Sequence, residues 1–324
     1  MAATVVTLGF TFPGQNSQHV GMLTELAQLH PVVVATFAEA SAILGYDLWQ
    51  LVQTGPAEQL ALTHITQPSI LTASVSLWRV WLEQGGPLPS LMAGHSLGEY
   101  SALVCAGVLR FTDAVALVKQ RGEFMQSAVP VGIGGMAAIV GLDDDAVIKA
   151  CNEACNEASG AEVVAAVNFN SPGQVVIAGH SAAVKRAGEF CKAAGAKRVL
   201  PLSVSAPFHS PLMQPAAERF AQVLAGITLS IPAIPVIQNH GLGKNTDPAV
   251  IRRNLVLQIY NPVPWVATIR AFAAQGITTL LEMGPGKVLT GLNKRIDSGL
   301  NALVVNDPAS LTAALATLGK NEPV

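Results

Sequence analysis

The chain has 324 residues, of which 50% are hydrophobic and only 12% are charged. This composition excludes a disordered chain and allows one large or two medium globular domains. A formal net charge of -2, and the lack of any apolar run near the ~18 residues of a membrane span, argue against a nucleic-acid-binding or membrane protein.

The N-terminal sequence and the cysteines indicate the cellular compartment. Residues 1–6, MAATVV, have no basic region, which argues against a secretory signal peptide. The spacing of the four cysteines does not suit a zinc site, and no histidine pair lies near them. We therefore expect a cytoplasmic protein with no metal site and with reduced, buried thiols at Cys105, Cys151, Cys155 and Cys191.

The chain opens on a predicted strand and turn. Residues 5–12 are apolar and rich in β-branched side chains, which predicts a first strand. The strand ends in Phe12-Pro13-Gly14-Gln15-Asn16-Ser17-Gln18, a turn whose backbone N–H groups are available as donors. Helices are then predicted at Pro31–Leu44 and at 69–83, the second with Pro68 before it and apolar residues at helical spacing.

The stretch at 93–109 gives the strongest indication of chemistry. Gly94-His95-Ser96-Leu97-Gly98 fits G-x-S-x-G, the nucleophile elbow. A predicted strand end at 91–93 precedes it, and a small, apolar run at 100–109 predicts a buried helix after it. The sharp turn would expose Ser96 at the helix N-terminus, where free N–H groups can stabilise an oxyanion. The alternative is a glycine-rich turn with an incidental serine, which this strand-and-helix setting disfavours.

The next predicted helix carries a candidate binding residue. Residues 112–127 have helical periodicity, with Thr112 as a possible N-cap and Arg121 inside the helix. Arg121 has two interpretations. An exposed arginine is the commoner case, whereas a functional arginine would hold a substrate carboxylate with two hydrogen bonds.

Residues 134–204 follow a different order of elements, β-α-β-β-α-β, which is the ferredoxin-like order. Strands are predicted at 136–140, 163–168, 174–178 and 198–204, and helices at 143–157 and 181–194. We expect an inserted ferredoxin-like subdomain at 132–204, with linkers at 132–135 and 201–207.

Strands and helices alternate again after this insert. Helices are predicted at 212–224, 249–259, 265–275, Val288–Ile296 and 309–318, and strands at 234–238, 278–282 and 303–305. Such alternation predicts a mainly parallel sheet covered on both faces. The fold class is therefore α/β, with a large catalytic domain formed by 1–131 and 205–324 around the α+β insert.

A serine nucleophile needs a base within hydrogen-bond reach, and His209 is the best candidate. It lies between a predicted strand and helix, and Pro207 and Pro211 restrict the connection on either side. His95 adjoins Ser96, but neighbouring side chains at an elbow diverge, so we expect it to pack or hydrogen-bond locally.

The acidic third member of a catalytic triad is not evident. No acid between the serine and the histidine stands out among Asp113, Asp143, Asp144, Asp145, Glu153, Glu157, Glu162 and Glu189. A backbone carbonyl could orient the imidazole instead.

Taken together, these motifs resemble those of the malonyl-CoA:acyl carrier protein transacylases of bacterial fatty-acid synthesis. A more distant resemblance is to the acyltransferase domains of polyketide synthases. The resemblance runs nearly end to end and implies a hydrolase-like parallel-sheet domain with a ferredoxin-like insert. It rests on Phe12-Pro13-Gly14-Gln15, 94–100, Gln120-Arg121-Gly122 with Met125, 168–179, 206–213, Tyr260-Asn261-Pro262-Val263 and 282–287.

The resemblance implies a role for each matching residue. Ser96 would carry the malonyl ester, and His209 would act as general base and acid. The backbone N–H groups of Gln15 and Leu97 would form the oxyanion hole. The backbone carbonyl in the region of Gln258 would orient His209, in place of an acidic residue.

The same resemblance implies the substrate contacts. Arg121 would bind the malonyl carboxylate, and Met125 would belong to the substrate pocket. Phe208 would crowd a branched α-carbon. Malonyl-CoA is a substrate in this family, so no separate cofactor is expected. Asn16 departs from the family, where glycine is common, and His240 has no assigned role.

Acyl carrier protein, acidic in this family, would be the partner, and we expect the enzyme to be a monomer. Two basic groups could form its docking face or be solvated helix faces: Lys185, Arg186, Lys192, Lys197 and Arg198, and Lys287, Lys294 and Arg295. Two other functions remain open, a hydrolase that uses the same serine and histidine and a non-catalytic scaffold. A trans-acting polyketide acyltransferase also fits these motifs.

Overall fold

The computed structural model describes residues 7–157, 162–202, 204 and 206–319. Its strands are β1 Leu8–Phe12, β2 Leu91–Gly94, β3 Gly134–Val140, β4 Val164–Ser171, β5 Gln174–His180, β6 Arg198–Pro201, β7 Val236–Ile237, β8 Thr279–Met283 and β9 Asn301–Val305. Its first helices are α1 Thr24–Leu29, α2 Pro31–Leu44, α3 Leu48–Thr54, α4 Ala57–Leu60, α5 Thr63–Glu83, α6 Gly98–Cys105 and α7 Phe111–Gln126. The others are α8 Asp144–Asn156, α9 Ser181–Ala193, α10 Gln214–Ala225, α11 Pro248–Gln258, α12 Trp265–Ala274, α13 Val288–Ile296 and α14 Pro308–Leu318. Val5 and Val6 of the predicted first strand lie outside the described residues.

The large sheet is parallel, with the strand order β7-β2-β1-β8-β9. All five residues of β1 are buried, as expected for a central parallel strand. Phe10 and Phe12 pack in the main core, on the side of α2, α5 and α7. Ala93 and Leu280 belong to a second core on the side of α12 and α13. The sheet is therefore covered on both faces, as the alternation of elements predicted.

The small sheet is antiparallel, with the order β4-β5-β3-β6. Helices α8 and α9 pack on it around a separate apolar core. This is the strand order of a ferredoxin-like fold, so the predicted fold class is confirmed. Strand β3 begins at Gly134, which pairs with His180. Gly134 and Gly135 were predicted to be part of a linker, but they belong to this strand. Residues 203 and 205 of the second predicted linker lie outside the described residues, and 132–204 stays our proposed extent of the insert.

Backbone hydrogen bonds join the small sheet to the segment that follows α11. The Phe169 N–H donates to the Val263 carbonyl at 3.1 Å, and the Val263 N–H donates to the Val167 carbonyl at 2.8 Å. Asn168 and Val263 therefore form a parallel bridge. The small sheet is therefore joined to the segment between α11 and α12 through paired main chain.

Helix α5 differs from the prediction at its N-terminal end. It begins at Thr63, and Pro68 lies inside it rather than before it. Gly122 of α7 packs so closely here that a Cβ would lie 2.7 Å from the Cα of His64. The Thr63 hydroxyl also donates to the Gln126 side chain at 2.9 Å. These tertiary contacts stabilise the helical turn before Pro68, which the proline by itself disfavours.

Helices α6 and α7 also differ from their predicted bounds. Helix α6 stops at Cys105, and Gly107, with φ of 77°, turns the chain before 109. Helix α7 begins at Phe111 with Arg110 at the N-cap, so the prediction of Thr112 as the cap is wrong. Helices α1, α3 and α4, of four to seven residues, were not predicted because such lengths give little periodicity.

The structure bears on three sequence-based predictions: the state of the cysteines, the metal sites and the membrane-spanning helices. All four cysteines are free; Cys151 and Cys191 are buried, but Cys105 and Cys155 are only half-buried, unlike the prediction. Among the described residues, no group of three or more His, Cys, Asp or Glu is placed to hold a metal ion. No single described helix has the length and apolar composition of a membrane span. Among the described helices, α2 and α3 have that length and composition only when they are taken together, and the chain bends by 115° between them.

Candidate active site

A cavity of about 320 Å³ lies between the ends of β1 and β2 and the face of the small sheet. The loops after these two strands contribute Gln15 and Ser96 to its wall. The loop before α10 contributes His209, and the small sheet contributes residues such as Asn170. The cavity therefore forms where predicted site residues from distant parts of the chain meet.

Ser96 lies at a strained turn between β2 and α6. Its φ is 52°, in the left-handed region that non-glycine residues rarely adopt. A Cβ on Gly94 would lie 1.8 Å from the carbonyl carbon of Gly98, and one on Gly98 would lie 1.9 Å from the carbonyl oxygen of Phe12. The elbow is thus tight because glycines allow the main chain to approach itself, while Ser96 has the unusual φ.

Gly98→Ala is expected to lower the free energy of unfolding by about 3 kcal/mol, because the new methyl group overlaps the main chain of β1. Denaturant unfolding measures this change. Gly291→Ala is the matched control, since an added Cβ at this exposed helical position meets nothing within 4 Å. It should be neutral or stabilising by up to ~1 kcal/mol. Equal stability of Gly98→Ala and the parent protein would contradict the close approach.

His209 contacts both Ser96 and a main-chain carbonyl. Its Nε2 is 2.7 Å from Oγ of Ser96, and its Nδ1 is 2.9 Å from the backbone oxygen of Gln258. A carbonyl only accepts hydrogen bonds, so Nδ1 carries the proton and Nε2 is free to accept from the serine hydroxyl. Burial, and then the Arg121 charge, lower the pKa of His209 to about 3. The imidazole is therefore neutral near pH 7 and has the form of a general base.

No carboxylate among the described residues hydrogen-bonds to the His209 ring. The acids considered from the sequence lie elsewhere: Asp143 caps α8, and Glu162 pairs with Arg186 at 2.7 Å. A main-chain carbonyl occupies the place that an acid has in a Ser-His-Asp triad. The ion pair also shows that Arg186 is not a free basic side chain.

Arg121 is 1% exposed, so the interpretation as an exposed arginine is wrong. Its Nη1 donates to the Gln67 side chain at 2.9 Å. Its Nη2 donates to the Gln258 side chain at 3.0 Å and to Oγ of Ser96 at 3.2 Å. The guanidinium also lies over the Tyr100 ring, 5.1 Å from its centroid. No described carboxylate forms an ion pair with it, so its partners are neutral.

The loop after β1 approaches the elbow closely. A Cβ on Gly14 would lie 2.7 Å from the backbone oxygen of His95. Within the described part of the chain, the backbone N–H groups of Gln15 and Leu97 donate no hydrogen bond. Two unused donors thus belong to the two segments that meet beside Ser96. Asn16 has φ of 76°, in the left-handed region that glycine adopts without strain and that asparagine tolerates better than most residues.

The remaining predicted residues lie at or near the cavity. Met125 and Phe208 line it, whereas His240 does not. We expected His95 to pack or hydrogen-bond locally. Its ring packs against Trp265, with the ring centroids 5.5 Å apart, but its side-chain hydrogen bond is not local. Its Nε2 is 2.8 Å from the side-chain oxygen of Asn170 on β4, across the cavity. His95 therefore links the elbow to the small sheet.

Three buried polar residues of the site were missed from the sequence: Gln67, Glu99 and Asn239. Gln67 donates to the Gln15 side chain at 3.2 Å as well as accepting from Arg121. Asn239 accepts from the Ser96 N–H at 2.8 Å through its Oδ1. Only Glu99 gave a signal that could have been used, since it is a charged residue in an otherwise small and apolar run.

The parallel sheet, the elbow and the Ser96–His209 contact fit a protein of the acyl transferase class. Residues 9–318 match the sequence model described as the acyl transferase domain, and the chain belongs to this family. The resemblance to malonyl-CoA:acyl carrier protein transacylases is confirmed by individual relatives. The chain is 62% identical over 306 residues to "Malonyl CoA-acyl carrier protein transacylase" of Salmonella typhimurium, covering 94% of this chain and 98% of that protein. It is 44% identical to the Bacillus subtilis protein of the same name, over 96% of this chain and 97% of that one.

Solved structures give the same result. An acyl carrier protein S-malonyltransferase from Vibrio cholerae superposes with a TM-score of 0.92 at 56% identity, over 95% of this chain and 99% of that one. A malonyl-transacylase in complex with its type II PKS acyl-carrier protein superposes with a TM-score of 0.93, also at 56% identity, over 96% and 99%. Both similarities extend over nearly the whole chain, including both sheets.

Proposed function

We propose that the protein transfers the malonyl group of malonyl-CoA to the phosphopantetheine thiol of acyl carrier protein, through an ester on Ser96. The observation that carries this proposal is the buried Arg121 guanidinium, 3.2 Å from Oγ of Ser96. A malonyl thioester has its carboxylate one methylene from the reacting carbonyl. A cation beside the nucleophile suits that spacing, and the carboxylate supplies the direct ion-pair partner that Arg121 lacks among the described residues.

In the first half-reaction, Ser96 Oγ attacks the thioester carbonyl and its proton passes to Nε2 of His209. The tetrahedral intermediate collapses, coenzyme A leaves as a thiolate, and Nε2 returns the proton to its sulfur. The N–H groups of Gln15 and Leu97 would stabilise the oxyanion, each contributing roughly 10²–10³ in rate. The Gln258 carbonyl keeps Nδ1 protonated, so Nε2 can both take and give a proton.

In the second half-reaction, the carrier thiol gives its proton to His209 and attacks the serine ester. The thioester of the carrier forms, and Ser96 recovers its proton. We propose Met125 and Phe208 as walls for the malonyl group, with Phe208 crowding a branched α-carbon. The product would supply chain elongation in fatty-acid synthesis, in the cytoplasm, and the enzyme would act as a monomer without a further cofactor.

The second basic group is the better candidate for the carrier's docking face. Arg295 lines the cavity, and Lys287 and Lys294 are exposed at the same helix, α13. In the first group, Arg186 is engaged by Glu162. Positive charge at the cavity mouth would attract an acidic carrier.

The function is tested by incubating the protein with malonyl-CoA and holo acyl carrier protein, followed by intact-mass spectrometry. We expect a malonyl adduct on the holo carrier and none on the apo carrier, which lacks the thiol. Free malonate with an unmodified carrier would indicate a hydrolase. A fatty-acid carrier and a polyketide carrier, compared at equal concentration, distinguish the two pathways by rate.

A further inference from the structure

Glu99 is a buried acid that the transfer steps do not use. It lies in the first turn of α6, one turn from Ser96, and its side chain has no exposed surface. One carboxylate oxygen, Oε2, accepts from the Gln258 side chain at 2.8 Å and from the Asn239 N–H at 2.9 Å. The other, Oε1, is 3.4 Å from the Gln238 side-chain nitrogen. A single buried oxygen thus joins two residues that reach the elbow from different elements.

Each of these two residues contacts Ser96. Asn239 accepts from the Ser96 N–H, and its Nδ2 donates to the Gly94 carbonyl at 2.7 Å. Gln258 donates to the Ser96 carbonyl at 3.0 Å, while its own backbone oxygen accepts from His209. The two amides therefore hold the peptide units on both sides of the strained serine.

Gln258 has a second role, because its side-chain oxygen accepts from Arg121. A primary amide has a donor end and an acceptor end. With its nitrogen bonded to Glu99, the Gln258 amide has its oxygen fixed toward the guanidinium. Reversal of the amide would place the Gln258 nitrogen against Arg121 and its oxygen against the carboxylate, with unfavourable contacts at both ends.

We propose that Glu99 is a positioning residue, whose carboxylate holds Gln258 and Asn239 in place. Through Gln258 it sets His209, and through Asn239 it sets Ser96. It touches no substrate atom. As a statement about acyl transfer the proposal rests on the proposed function, but the alignment of the serine can be measured without malonyl-CoA or a carrier.

The surroundings of Glu99 make its charge sensitive to pH. Burial raises its pKa to about 7, although the hydrogen bonds from Asn239 and Gln258 and the Arg121 charge oppose the shift. Arg121 on α7 is the charged group that acts on it. The Glu99 charge in turn adds to the effect of burial, which raises the pKa of the neighbouring Tyr100. The contacts from 238–239 and from α11 are neutral amides.

His209 does not titrate in this range, since its pKa is lowered to about 3. It stays neutral as the pH falls from about 8 to 6. Over this interval Glu99 takes up a proton, and its hydrogen bonds lose their charge-assisted character. A loss of serine reactivity near pH 7 would therefore report on Glu99 rather than on the base.

The test measures the rate at which Ser96 reacts with a fluorophosphonate at a series of pH values from about 6 to 8. Intact-mass spectrometry monitors the reaction. For the wild type we expect a roughly tenfold fall as the pH is lowered through about 7. Glu99→Gln keeps an acceptor but removes the charge, so its rate should be independent of pH and equal to the low-pH rate of the wild type. Glu218→Gln, at an exposed position on α10, should follow the wild type.

Parallel pH profiles of Glu99→Gln and the wild type would overturn the proposal. If Glu99→Gln does not fold, the wild-type profile decides alone, and a flat rate through pH 7 counts against Glu99. A protein that reacts with the probe as expected but loads no carrier would retain the positioning role and lose the proposed function. Malonyl transfer by Glu99→Gln, where it is measured, should show the lower rate in kcat rather than in KM.

Discussion

Ser96→Ala is expected to lower the rate of malonyl transfer to the carrier by at least about 10⁴-fold, as loss of a serine nucleophile does in other acyl-transfer enzymes. The hydroxyl is the atom that would form the ester, and His209 lies 2.7 Å from it with no other nucleophile in contact among the described residues. The fold should persist, because the methyl group of alanine fits where the hydroxymethyl group was. Single-turnover measurement with holo carrier, together with denaturant unfolding, separates the two effects.

A matched control lies on the following helix. Ser101 is also buried, and its hydroxyl has no hydrogen-bond partner within the described residues. Ser101→Ala also removes a serine hydroxyl, but Ser101 does not line the cavity, so the rate of transfer should be unchanged. Substantial transfer by Ser96→Ala would mean that the acyl group does not pass through this serine.

Arg121→Ala is expected to lower the ratio of malonyl to acetyl transfer by roughly 10²-fold. An acetyl group leaves the buried guanidinium without a carboxylate, and breaking a buried pair costs about 3–5 kcal/mol, or roughly two to three and a half decades. The neutral partners in the structure, Gln67 and Gln258, offset part of this cost. The lower end of the range is therefore the expected value. Competition between the two acyl-CoA substrates measures the ratio directly.

Lys119 gives the corresponding control. It carries the same charge on the same helix, but unlike Arg121 it makes no hydrogen bond to Ser96. Lys119→Ala should leave the ratio unchanged. A ratio unaltered by Arg121→Ala would show that selection for the carboxylate resides elsewhere in the cavity.

Local features of this site could be predicted from the sequence. The elbow at 94–98 has its chemistry and its glycines within five consecutive residues, so the motif alone locates Ser96. His209 is framed by prolines, and the resemblance indicated the region of Gln258. The order of strands and helices likewise predicted both sheets, since each element of ordinary length has its own apolar pattern.

Contacts between distant polar residues could not be predicted in this way. Glu99 and Asn239 are 140 residues apart, and nothing in the local sequence of either indicates a buried hydrogen bond. Gln67 was missed because Pro68 indicated a helix start at 69, whereas packing against α7 extends the helix to Thr63. Tertiary packing overrides local preference at these positions, and it is there that the site acquires its buried amides.

The backbone bridge between Asn168 and Val263 bears on how this protein can be recombined with its relatives. The bridge lies five residues beyond Gln258, the last residue of α11, so the main chain of β4 is hydrogen-bonded to the connection that follows the carbonyl bound by His209. A chimera that exchanges the small sheet as a cassette would cut no covalent bond near the serine. It would nevertheless replace one of the two partners in this backbone pairing. A chimera that keeps this pairing should therefore take β4 and the segment after α11 from the same parent protein.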